Sequence, residues 1–165
     1  MKNYLIAMSL IIVVAAATAT SCSKEDAGGS GNGSDSTGLP LTTANLVGKW
    51  TPVNTITVGT TNGVVDEKDT VPGHANEYVD IRSDNKIYAY LWDNGHNEFY
   101  YDTTNFKIIN ANAMATWDIG DDPAEYSDTS MVKTFTKNNL TLYFKEVHRV
   151  DANTVIYETW TNLKR

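Results

Sequence analysis

The chain has 165 residues, a formal net charge of −7, and hydrophobic and aromatic contents of 41% and 10%. This balance suits a folded domain and argues against binding nucleic acid or an anionic membrane surface. Beyond residue 21 no run of about 20 apolar residues remains to build a transmembrane helix. The first 21 residues read as a secretory signal: Met1-Lys2 is the positive end, Leu5 to Ala17 is almost wholly apolar, and small residues lead up to Ser21. Losing Lys2 with this segment makes the remainder one charge more acidic.

Cys22 is the single cysteine, so no intramolecular disulfide can form. The run Ala19-Thr20-Ser21-Cys22 resembles the lipobox of bacterial lipoproteins, which implies a diacylglycerol on the Cys22 thiol and an acylated amine. Several acyl chains, at about 0.8 kcal/mol per buried methylene, anchor a protein stably. The next residues, Ser23, Lys24, Glu25 and Asp26, resemble the export signal of Bacteroidetes surface lipoproteins. That resemblance implies the outer leaflet of the outer membrane, facing the medium, with a periplasm-facing orientation as the alternative. Residues 27–38 are a Gly/Ser-rich tether, a coil that reaches about 20 Å on average. The expected organisation is a signal over 1–21, a lipidated cysteine and tether over 22–38, and one domain over 39–165.

From Leu39 onward the helical period is nearly absent, while Val, Ile, Thr, Tyr, Phe and Trp cluster in short runs cut by Asn, Asp and Gly. Thr42 or Thr43 could cap one helical turn before Gly48. A first strand is expected from Lys49 to about Val58, ended by Thr61-Asn62-Gly63. The acidic stretch Asp66 to Asp69 and Pro72-Gly73-His74 follow, leaving residues 62–77 open as a lid, a strand pair or disorder. Further strands are expected at Tyr78–Arg82, Lys86–Trp92, Glu98–Asp102, Phe106–Ile109, Met114–Ile119, Met131–Thr136, Leu140–Val147 and Val155–Thr161, with turns at Ser83-Asp84-Asn85, Asp93-Asn94-Gly95 and Lys137-Asn138-Asn139. The fold class is all-β, with about eight antiparallel strands in a barrel or sandwich.

The first strand opens with Leu46-Val47-Gly48-Lys49-Trp50. Glycine permits a tight turn into the strand, and the indole can plug a barrel end beneath a basic side chain. This Gly-x-Trp opening resembles lipocalins and the lipocalin-like lipoproteins of Bacteroidetes. The resemblance covers residues 39–165 in pattern and the first strand in motif; a Thr-Asp-Tyr-like second signature is missing. It implies an up-and-down barrel in which Gly48 and Trp50 pair with a basic residue near the C-terminus, here Arg165, with Lys164 and Arg149 as other candidates.

Strand alternation sets Tyr88, Tyr90 and Trp92 on one side and Ile87, Ala89 and Leu91 on the other. With Tyr78, the first set is the candidate ligand site. Facing inward, it makes a cup for a small hydrophobic or amphipathic molecule; facing outward, it makes a platform that stacks on glycans; otherwise it is packing in a filled core. His74, His96 and His148 lack metal-ligand spacing, and the acidic loop Asp118, Asp121, Asp122, Glu125, Asp128 lacks the pattern of a calcium loop. Neither a nucleophile elbow nor a phosphate loop is present. The expectation is a monomeric, non-catalytic binder without metal or cofactor, attached to the membrane through its N-terminal lipid alone. Its rivals are a carbohydrate-binding accessory of a glycan-uptake system and a partner-binding envelope lipoprotein. Asp35-Ser36-Thr37, Asp69-Thr70-Val71 and Asp102-Thr103-Thr104 resemble O-glycosylation signals of Bacteroidetes envelope proteins, implying that Ser36, Thr70 and Thr103 are exposed.

Overall fold

The computed structural model describes residues 38–125 and 127–165. One helical turn, α1 (Thr43–Leu46), precedes nine strands: β1 (Gly48–Thr61), β2 (Val64–Pro72), β3 (Tyr78–Ile81), β4 (Lys86–Asp93), β5 (Glu98–Asn110), β6 (Ala113–Asp118), β7 (Asp128–Phe135), β8 (Asn139–Val150) and β9 (Asn153–Lys164). Thr42 caps α1, its hydroxyl accepting from the Asn45 amide. All pairings are antiparallel, and β1 pairs with β9, closing a barrel of eight strands, β1 and β3 to β9. The expected all-β barrel is therefore the observed fold. The stretch left open over 62–77 contains β2, and the two strands expected at 98–102 and 106–109 are one continuous β5.

β2 is the additional strand, and its position shapes the molecule. One edge of β1 pairs with β9 from Thr51 to Thr61, while the other meets β3 at Gly48–Trp50 and β2 at Asn54–Thr61. β2 and β3 are thus two pieces of a single return path, interrupted by residues 73–77. Because β4 pairs with β3 only over Tyr78–Ile81, β2 has no strand on its far side. On the opposite side, the Glu98–Thr103 part of β5 pairs with β4 alone, and the Phe144–Val150 part of β8 with β9 alone. The wall therefore divides at one end into a four-stranded sheet, β8-β9-β1-β2, facing the β4–β5 hairpin.

The hydrophobic core occupies the other end. Trp50, Ile81, Ile87, Phe106, Phe135, Leu140 and Leu163 are all buried there, each supplied by whichever part of its strand reaches that end. Leu41 and Leu46 cap them from below. Burying side chains of this size stabilises by about 1.5–3 kcal/mol each.

Candidate functional site

The base is closed by the residues that the opening motif singles out. The Trp50 ring is fully buried, its Nε1 donates to the Leu46 carbonyl at 3.0 Å, and it packs on Phe135. The Arg165 guanidinium lies over the indole, 4.0 Å from its centroid, and donates to the carbonyls of Asn45, Leu46 and Val47. These are the carbonyls that a helix end leaves without intrahelical partners. Gly48 has φ +140°, and a Cβ there would stand 3.5 Å from the guanidinium. Gly48, Trp50 and Arg165 thus form one cluster, apart from Arg149 on β8.

The aromatic row does not lie where an interior cup would need it. Ile87 and Ala89 face the core together with Val79 and Ile81 of β3. Parity then turns Tyr78, Tyr88 and Tyr90 to the outer surface, correcting the expectation that they line the barrel. Their ring faces are already occupied. Lys49 Nζ lies 3.7 Å from the Tyr78 centroid, Arg82 lies 4.1 Å from that of Tyr88, and Tyr90 packs against Phe99 and Tyr101 at 4.6 Å each. A sugar platform needs open faces, and this row spends its faces on neighbours.

Trp92 stands at the barrel mouth. His74 stacks on it at 4.5 Å and 11°, while Glu77 accepts from the Trp92 amide at 2.8 Å and the His74 amide at 2.6 Å. Residues 73–77 are in this way fastened to β4, bridging the gap beside β2. Gly73 is required at the start of that bridge, because a Cβ there would collide with the Pro52 carbonyl oxygen.

Inside the divided end is a cavity of about 970 Å³, within the size range of small-molecule sites. Its floor is apolar, made by Val79, Ile81, Ile87, Leu91, Met114 and Leu142. Above the floor the inward positions become acidic: Asp102 on β5, Asp118 on β6, Asp128 on β7 and Glu146 on β8. Glu67 and Asp69 face them from β2, where Gly59 makes room: a Cβ there would lie 3.0 Å from Glu67 and 3.2 Å from Tyr157. Desolvation holds the Asp118 and Asp128 carboxyls above their ordinary range, with Asp102 and Asp121 adding to the first and Glu146 and Asp118 to the second. Burial raises the Tyr100 phenol likewise, helped by Asp102.

The interior carboxylates are the part that sequence reasoning missed. Residues 66–69 read as an acidic stretch and Asp118 to Asp128 as an acidic loop without a calcium pattern, yet Glu67, Asp69, Asp118 and Asp128 line the cavity. Alternation could have found Glu67, Asp69 and Val71, which share one face of β2 opposite Thr57 and Thr55. Among the described residues, His74 and His148 reach the cavity rim and His96 pairs with Asp93 at 2.7 Å in an exposed turn. No three His, Asp or Glu side chains among the described residues could hold a metal ion. Thr70 is exposed on β2, beside the cavity, and Thr103 is half-buried on the outer face. Cys22, Ser23, Lys24, Glu25, Asp26 and Ser36 lie outside the described residues. No protein-family model matches the chain, and no curated protein is significantly similar to it.

Proposed function

We propose that this protein is a lipid-anchored envelope protein whose lipocalin-like barrel holds a small amphipathic molecule without transforming it. The observation that carries the reading is the cavity of about 970 Å³, apolar below and polar above, open where the wall divides. A molecule with a hydrophobic body and a polar end matches that gradient. The binding residues are then Leu91, Trp92, Tyr100, Met114, Leu142 and Tyr157, in place of the outward row. In this reading Cys22 carries the lipid, Ser23 to Asp26 direct export to the surface, and the tether lets the domain stand clear of the membrane. Occupied ring faces on Tyr78, Tyr88 and Tyr90 weigh against the glycan-platform alternative.

Native mass spectrometry of gently purified protein, compared with the same sample after denaturing extraction, tests this reading. A co-purifying small molecule, released on denaturation, is the expected result. Protein that stays empty and takes up no amphiphile would refute it, and mass gained only from glycans would return the outer face to consideration.

A further inference from the structure

The charges facing the cavity are of one sign. Strand parity sorts them: on β2, Glu67 and Asp69 point inward while Lys68 between them points out, opposite Val58. On β8, Glu146 points inward and Lys145 outward, the latter opposite Glu158. Lys133 on β7 likewise stays outside, 4.4 Å from the Tyr143 ring centroid. Among the described residues no lysine or arginine lines the cavity, and the basic side chains that reach it are those of His74 and His148, at the rim.

Desolvation, with repulsion from neighbouring carboxylates added to it, makes Asp118 and Asp128 hold their protons more tightly than usual. An anionic head, such as that of a fatty acid, would add to the repulsion. A small metal ion would need several oxygens converging on one point, and no such group occurs among the described residues. A bulky organic cation needs only a negative surround and ring faces, which Tyr100 and Tyr157 offer around the same space.

We infer that the ligand is a cationic amphiphile, with a protonated amine or quaternary ammonium head between the acidic faces of β2 and β5–β8 and an apolar body on the floor. The inference rests on the cavity-binding reading above, and names the class of molecule the cavity selects.

The test is calorimetric titration of the protein at neutral pH with four probes of equal chain length, decylammonium, decyltrimethylammonium, decanol and decanoate, each below its micellar concentration. Both cations should bind at least about tenfold more tightly than decanol, with decanoate weakest, and raising the salt should narrow that preference. The paired change Asp118→Asn and Asp128→Asn should reduce the preference for the cations over decanol several-fold. Decanol binding as well as the cations would overturn the cationic assignment and leave the cavity reading standing. Failure of all four probes would overturn both. Should the paired variant fail to fold, the salt dependence of cation binding by the unmodified protein still decides the matter: a preference that salt does not narrow would overturn the assignment.

Discussion

Replacing Arg165 with alanine removes the contacts that join the end of the last strand to the turn beneath the barrel. Its Nη2 donates to three carbonyls at 2.8, 3.0 and 3.1 Å, and its guanidinium covers Trp50 at 4.0 Å. That nitrogen has two hydrogens, so the three contacts share at most two full bonds. A bond from a charged donor contributes about 1.5–3 kcal/mol and a cation–π contact about 0.5–2 kcal/mol. Arg165 is exposed, so solvent screening reduces its shared bonds to about the lower-end worth of one, and with the lower end of the cation–π range the expected loss is about 2 kcal/mol. Urea slopes of about 1–3 kcal/mol per molar convert this into a midpoint lowered by about 1 M. Tryptophan fluorescence during urea unfolding reads that shift directly. Arg165→Lys keeps the charge without the planar fork and should recover less than half of the loss. An unchanged midpoint for the alanine variant, or full recovery by lysine, would show that the base is closed by other contacts.

Four further outcomes follow from the geometry. Gly73→Ala drives a Cβ against the Pro52 carbonyl oxygen and should lower stability by more than about 2 kcal/mol, with amide exchange accelerating first in β2 and residues 73–77. Asp118 and Asp128 have folded pKa values raised above the ordinary carboxylate range. Their stabilising contribution is present below the unfolded value and is lost as pH rises through the folded ones. Asparagine at both positions should therefore raise the melting temperature at neutral pH, with the gain vanishing near about pH 3. The Tyr143 phenol is pushed up to about 12, first by burial and then by its bond to Glu158. The associated stability should hold below about pH 10 and fall between there and about pH 12, and Tyr143→Phe should remove the highest phenolate step in an ultraviolet titration. Tyr90→Ala should leave amphiphile affinity within twofold, whereas Leu91→Asp, which puts charge on the floor, should abolish binding of decanol.

How far the sequence could be read depends on what each strand has to bury. The turns at 61–63, 83–85 and 137–139 and the Gly48–Trp50 opening stand out because their residue types are tied to backbone geometry; Asn62 and Asn85, for example, have φ 51° and 62°. β4 is different, since Ile87, Ala89 and Leu91 on one side and Tyr88, Tyr90 and Trp92 on the other are both apolar. The neighbouring strand held the deciding clue: Tyr78 shares its face with Asp80 and Arg82, which form an ion pair at 2.8 Å suited to the outer surface. β2 was hidden because its inward positions are acidic, so the usual rule of apolar inside and polar outside fails there. β5 reads as divided at Thr103-Thr104-Asn105, although Thr104 is buried and Asn105 continues the ladder to Lys86 and Trp117. On β2 the residues that defeat the pattern, Glu67 and Asp69, line the cavity, where apolar packing does not dictate which side chains face inward.

The central claim is that the ligand sits inside the barrel, and intermolecular nuclear Overhauser effects from bound decyltrimethylammonium test it most directly. The account expects the alkyl tail to contact the methyl groups of Leu91, Met114 and Leu142, and the head-group methyls to contact the rings of Tyr100 and Tyr157. Contacts confined to Tyr78, Tyr88 and Tyr90 on the outer face would contradict it.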